Sequence, residues 1–204
     1  GVMHGGPICG LMSRFIEREL DREDLICSRY TVEILSGVPV GVLGVAANVV
    51  KNGKRTAVVE ASITHDGRLI ARATSQWLSR PKDLTGEQTP IPAIPSERAD
   101  PGAHPDMEYP RPGFNADAVE LRVINGSTEE SGPGLIWARL DHALIADEPT
   151  SKFQQVATLS DLGAAVGWEY VEGEKSFINA DVTLQLLRLP QSEWVLLDSA
   201  VERS

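Results

Sequence analysis

Two stretches of this chain carry residues whose types and spacing could do chemistry. His4-Gly5-Gly6-Pro7 stands directly before a run of helical apolar periodicity. Glycines leave the backbone amides at a helix start uncovered, and the unpaired donors there, with the positive end of the helix dipole, attract negative charge. The same residues equally make a flexible turn, because glycine is common near helix starts. The second stretch surrounds Asp161, the only charged side chain between Gln155 and Trp168. Gly163, Ala164 and Ala165 follow it and leave room for a ligand or a second backbone. A plain alternative is an exposed polar stripe of Gln154, Thr158 and Asp161 at helical spacings. His4 has no carboxylate near it in sequence, so it is expected to brace the elbow through a hydrogen bond and not to act as a base.

Composition narrows what these residues can serve. The 204 residues hold 19 basic and 29 acidic side chains, a net charge of -10, which argues against a nucleic-acid backbone or an anionic membrane as the main partner. A small polyanion remains compatible with a few local cations. Cys9 and Cys27 lack metal-ligand spacing and sit among apolar neighbours, so they read as buried thiols in a reducing compartment, and no metal site is expected. No leader and no apolar run near eighteen residues is present, so no membrane span is expected and a cytoplasmic location is. Asn125-Gly126-Ser127 is first of all a turn.

The elements that must position these side chains follow a pattern. From Pro7 to Leu20, Ile8, Leu11, Met12, Phe15 and Ile16 recur at helical spacing, with Pro7 expected at the first helical position. Strand-like runs follow at 28–36, 43–50, 55–63 and 68–79, and Asn52-Gly53 and Asp66-Gly67 signal tight hairpins. Eight of the thirteen prolines fall between Arg80 and Pro112, a stretch expected to cross the surface as an extended linker. Strands are expected again at 118–124 and 135–144, a helix at 151–166, and strands at 177–189 and 193–201. A constant shift of 151 residues lays the two halves over one another, matching Val38-Pro39 to Leu189-Pro190 and 43–50 to 194–201. Each half then lacks strands that the other retains, as if the sequence were trimmed at both ends.

A long helix followed by an antiparallel sheet, occurring twice and led by His-Gly-Gly, resembles the double hot-dog acyl-CoA thioesterases, the group that includes bacterial thioesterase II. The resemblance rests on "HGGPICGLM" at 4–12, the first-sheet run from Val50 to Leu78, "LSDLGAA" at 159–165 and "FINADVTLQLLRLPQSEWVLLDS" at 177–199. It implies an α+β fold of two tandem hot-dog units, each an antiparallel sheet wrapped around a long helix. The first unit would span 1–80 without its N-terminal strand region, a proline-rich linker 81–116, and the second unit 117–204, cut short at its C-terminus.

The resemblance also implies a reaction: hydrolysis of fatty acyl-CoA to free acid and CoA, with no cofactor beyond the CoA of the substrate. The carboxylate on the second helix, here Asp161, would act on water, with Asn179 where relatives often carry Thr. A third polar residue, typically Gln, belongs on a strand beyond the end of this sequence; Gln76 on the first sheet does not take its place. A thiol leaving group departs with little help from an acid, since its pKa lies near about 8.5, so no Ser-His-Asp relay is needed. Backbone amides around Gly5, Gly6 and Ile8 would form an oxyanion hole across a gap that admits the acyl carbon.

The first copy has Gly10 at the position of Asp161, and the second has Gln155, Val156 and Ala157 at the positions of His-Gly-Gly, which implies one working site per chain. A hot-dog hydratase would need a His paired with an acid, and the Asp100 to His104 spacing in the linker does not supply it. A non-catalytic acyl-binding protein is the alternative from another class. Acyl-chain length and homo-oligomer formation are not legible, and Lys152, Lys175 and Arg188 are the cations available for CoA.

Overall fold

Helix α1 (Gly5–Leu20) buries Ile8, Cys9, Met12, Ile16 and Leu20, the stripe its periodicity predicts. Its start lies two residues before the expected one. His4 is the N-cap and Gly5 and Gly6 are already helical, which puts Pro7 at the third position, still within the turn where a missing N–H costs nothing. The computed structural model describes residues 1–80, 90–99, 113–126, 132–163 and 179–200.

Strands β1 (Leu25–Ile34), β2 (Gly44–Asn52), β3 (Thr56–His65) and β4 (Arg68–Ser79) are all antiparallel and, with β7 (Asp181–Gln185), form a sheet ordered β2-β3-β4-β1-β7. Asp66 and Gly67 both adopt positive φ, 49° and 76°, the conformation of a two-residue hairpin turn. The Asn52-Gly53 hairpin is looser than expected, a three-residue loop in which the Gly53 amide donates to the Thr56 carbonyl at 2.8 Å. Alternating burial along β1 and β3 turns Tyr30, Val32, Val59, Ala61 and Ile63 toward α1.

A single π-helical turn (Phe114–Ala118) leads into β5 (Val119–Asn125), which pairs with β6 (Gly134–Leu140) and through it with β8 (Val195–Ser199) in a second antiparallel sheet. Helix α2 (Lys152–Leu159), capped by the Ser151 hydroxyl, continues into a 3-10 turn (Ser160–Leu162) and packs on α1 and β6. The helix expected to Val166 is described only through Gly163, and Ala164 and Ala165 lie outside the described residues, as do the linker residues 81–89 and 100–112. The described part of the linker is docked: the Ala99 amide donates to the Leu121 carbonyl at 2.9 Å.

Strand pairing and an aromatic cluster tie the halves together. Strand β7 pairs with β1 in the register Tyr30↔Leu184 and Thr31↔Thr183. Phe153 of α2 inserts edge-on against Tyr30 and Trp77, with ring centroids 5.2 and 5.4 Å away. Burying such a ring contributes about 1.5–3 kcal/mol, and each aromatic pair about 0.5–1.5 kcal/mol more. In the shift of 151, β8 falls on β2 and β7 falls on the later part of β1, whereas α2 begins about one turn earlier than α1.

Candidate active site at the start of helix α1

Asp161 lies in the 3-10 turn that ends α2, and only 6% of it is exposed. Its carboxylate is held from three directions. The Asn179 amide donates to Oδ1 at 2.6 Å. His4 Nδ1 stands 2.9 Å from Oδ2, and the Gly6 backbone amide also points at the carboxylate. The exposed polar stripe does not form: Gln154, Thr158 and Asp161 are all buried. Gln154 instead donates to Glu17 at 2.7 Å, and Thr158 donates to the Gln154 carbonyl at 2.7 Å.

The packing explains the glycines. A Cβ on Gly5 would sit 2.6 Å from Asp161 Oδ2, so only glycine lets this carboxylate reach the helix start. Gly6 faces the Thr158 carbonyl and the Phe114 ring, and Gly10 faces the Thr158 hydroxyl so closely that any side chain there would displace it. The small residues of α1 are thus the surface on which α2 seats. The carboxylate abuts the elbow directly, which corrects the expectation of a gap wide enough for an acyl carbon between them. Of the three amides expected as donors, Gly5 and Gly6 lie ahead of the helical ladder, whereas the amide of Ile8 bonds the carbonyl of the cap residue as the first rung. Ile8 itself is buried in the core.

Burial by itself raises the Asp161 pKa. The hydrogen bond and charge of His4, the Asn179 amide and the Gly6 amide outweigh it and hold the carboxyl below the ordinary Asp value. The carboxylate is therefore ionised at neutral pH. Gly6 N is also 3.2 Å from His4 Nδ1, the geometry of a side-chain cap. One ring nitrogen cannot both accept from Gly6 and donate to Asp161. Two lone pairs do not face each other at 2.9 Å, so a proton lies between Nδ1 and the ionised oxygen, and the Gly6 amide is left to the carboxylate. Phe114 holds the imidazole in place, with centroids 5.0 Å apart and planes 32° apart.

His4 thus does what the sequence led us to expect, bracing the elbow, and also something it did not. Its carboxylate partner comes from 157 positions later in the chain. The signal lay in the resemblance to double hot-dog thioesterases, which implies that the start of one helix faces the acid-bearing helix of the other half. Phe114, assigned to the linker, carried no signal. Among the described residues no cluster of His, Cys, Asp or Glu could hold a metal ion. No described helix is long and apolar enough to cross a membrane. Lys152 donates to the Ser192 carbonyl at 2.8 Å, and Lys175 lies outside the described residues.

Comparison with known proteins bears on the fold and on the family. A family model described as an acyl-CoA thioesterase N-terminal domain matches residues 1–77, and one described as an acyl-CoA thioesterase C-terminal domain matches residues 89–203. No curated protein matches the chain. Among solved structures, a proposed thioesterase from Novosphingobium aromaticivorans is similar over 100% of this chain and 77% of its own, with 21% identity and a TM-score of 0.67. The tesB protein of Mycobacterium avium subs. paratuberculosis is similar over 96% of this chain and 73% of its own, with 16% identity and a TM-score of 0.65. A protein of Alicyclobacillus acidocaldarius described as having a hot dog fold is similar over 93% of this chain and 69% of its own, with 17% identity and a TM-score of 0.63. At such identities the likeness is one of fold, and the antiparallel sheets packed on α1 and α2 agree with it.

Proposed function

We propose, from the premise that this chain belongs to the acyl-CoA thioesterase family, that it hydrolyses fatty acyl-CoA at the Asp161 site. The observation that carries the proposal is the buried, ionised Asp161 seated on the Gly5-Gly6 helix start with Asn179 on its other oxygen. An anion fixed in this way orients and polarises water for attack on a thioester carbonyl, and Asn179 sets the rotation of the carboxylate. When the substrate carbonyl enters beside the elbow, the Gly5 amide is the donor for its oxyanion, the Gly6 amide being engaged by the carboxylate, and a good donor is worth about a hundred- to a thousandfold in rate. The leaving thiolate needs no acid of its own.

The finer architecture belongs to the same proposal: two tandem hot-dog units, 1–80 and 117–204, joined by the proline-rich 81–116, with one working site per chain. Gly10 takes the place of the acid in the other half, and Thr158 packs against it. The test is thiol release from acyl-CoA of several chain lengths by the wild type and by Asp161→Asn. Turnover that falls at least about a hundredfold in the variant, with the fold retained, supports the hydrolase. Tight acyl-CoA binding without thiol release supports instead the non-catalytic acyl-binding alternative.

A further inference from the structure

Counted from their caps and not by the shift of 151, the two helices carry opposite charges at one shared position. Arg14 stands ten residues beyond His4, the cap of α1, and Asp161 stands ten beyond Ser151, the cap of α2. Both are buried, at 7% and 6% exposed, and each reaches across to the lead-in of the other helix. Asp161 meets His4 and the Gly6 amide. Arg14 meets Glu148, donating Nε to one carboxylate oxygen at 2.7 Å and Nη2 to the other. Only Pro149 and Thr150 separate Glu148 from the cap of α2. The helix pair is thus pinned at two places, Gly5 and Arg14, about 14 Å apart along α1. Between them Gly10 touches Thr158, whose hydroxyl donates within its own helix, to Gln154.

We propose that Arg14 is a positioning residue for Asp161: its two-pronged ion pair with Glu148 fixes how far α2 slides along α1, and so where the carboxylate stands at the helix start. The proposal rests on the thioesterase reading and deepens it. A bidentate guanidinium–carboxylate pair fixes direction as well as distance. A rigid helix passes an axial shift at one end to the other, and Asp161 lies in the 3-10 turn that continues α2 without a break. A misplacement of about 1 Å at a reacting group can cost about a hundredfold in rate. Stability alone does not account for Arg14, because taking a guanidinium out of water is costly and apolar replacement of a buried ion pair is often neutral or stabilising. Glu148 is 44% exposed, so it stays solvated when its partner is removed. Glu17 does not duplicate the fork: it holds Ser151 and Gln154 through the single atom Oε2, a pivot and not a two-point grip.

Arg14→Met keeps an apolar stem and removes the fork. The first readout needs no turnover: titration of the Asp161 carboxyl by 13C NMR. Loosened from His4, Asn179 and the Gly6 amide while still buried, Asp161 titrates at higher pH in the variant than in the wild type. Besides His4, the titratable group facing it is the Cys9 thiol, which burial and the Asp161 charge keep protonated. The second readout is kinetic. In Arg14→Met, kcat falls about 10- to 100-fold, with KM within a few-fold of wild type and the melting temperature within a few degrees. Arg14→Glu combined with Glu148→Arg keeps the combined reach of the two side chains and restores most of the lost kcat. An unmoved Asp161 titration, or Arg14→Met turnover within a few-fold of wild type, overturns the proposal. So does a loss of turnover that comes with a large fall in melting temperature and is not restored by the swap. If Arg14→Met does not fold, Arg14→Lys, which keeps the charge but not the fork, takes its place with the same outcomes required. A wild type that cleaves acyl-CoA of no length overturns the thioesterase reading, and the carboxyl titration still decides whether Arg14 positions Asp161.

Discussion

Asp161 depends on residues that its own half does not supply, and its behaviour is set one atom at a time. With its pKa held down in the folded state, it contributes stability that is fully present above the unfolded value of about 3.9 and is lost as the pH falls through the folded value. The stability difference between wild type and Asp161→Asn should therefore shrink as the pH drops below about 4, as thermal melts at several pH values would show. Asn179→Ala removes a hydrogen bond to a charged group, an interaction worth about 1.5–3 kcal/mol, so kcat should fall by roughly 10- to 100-fold with KM much less affected. Gly5→Ala must push the carboxylate off the elbow; turnover should collapse, and overpacking should lower stability by about 1–3 kcal/mol. A Gly5→Ala enzyme with wild-type kcat would falsify the seating of Asp161 as a functional contact. The acid and the glycine pair stood out in sequence because each is a residue type out of place in its surroundings, whereas Asn179 stood out only through the family resemblance. The direct contact between them was not legible, because it depends on how closely two glycine-bearing turns of α1 let α2 approach.

At the scale of elements, polar bridges fix α1 against the segment that carries Asp161. Buried Arg14 donates its Nε to Glu148 at 2.7 Å, ahead of α2. Glu17 accepts from the Ser151 hydroxyl and the Gln154 amide, both at 2.7 Å, within the first turn of α2. Burial raises the Glu17 pKa, and these two hydrogen bonds recover only part of the shift. An acid whose folded pKa is raised opposes folding once the pH exceeds that value and is neutral below its unfolded one. Glu17→Gln should therefore raise the melting temperature at pH 7, and the gain should vanish below about pH 4. A variant destabilised at pH 7 but not below about pH 4 would mean that the charge itself matters to the bridge. The strands and both helices were legible from periodicity and turn residues, above all Asp66-Gly67. The bridges were not, because Arg14, Glu17 and Glu148 look like ordinary surface charges until the second helix covers them.

Across the whole chain, the charge of -10 opposes the approach of an anionic thioester at long range. Moderate salt screens such repulsion, with a Debye length of about 10 Å at 0.1 M. The second-order rate constant kcat/KM should accordingly rise as NaCl is increased toward that range. A fall would reveal a local cationic groove that outweighs the net charge. A constant shift between the halves was legible in the sequence, and β7 and β8 follow it onto β1 and β2 whereas α2 starts about one turn off α1. Which strand of one half would meet the other was not legible, since strand partners are chosen by long-range packing and not by local pattern. That pairing also bears on synthesis. Strand β1 receives its β7 partner only when the chain has grown from Tyr30 to Leu184. At about 5–20 residues per second, the ribosome needs roughly 8 to 30 s to deliver it. For that interval the nascent chain exposes an open hydrogen-bonding edge, the form in which it is most vulnerable to aggregation and most in need of a chaperone.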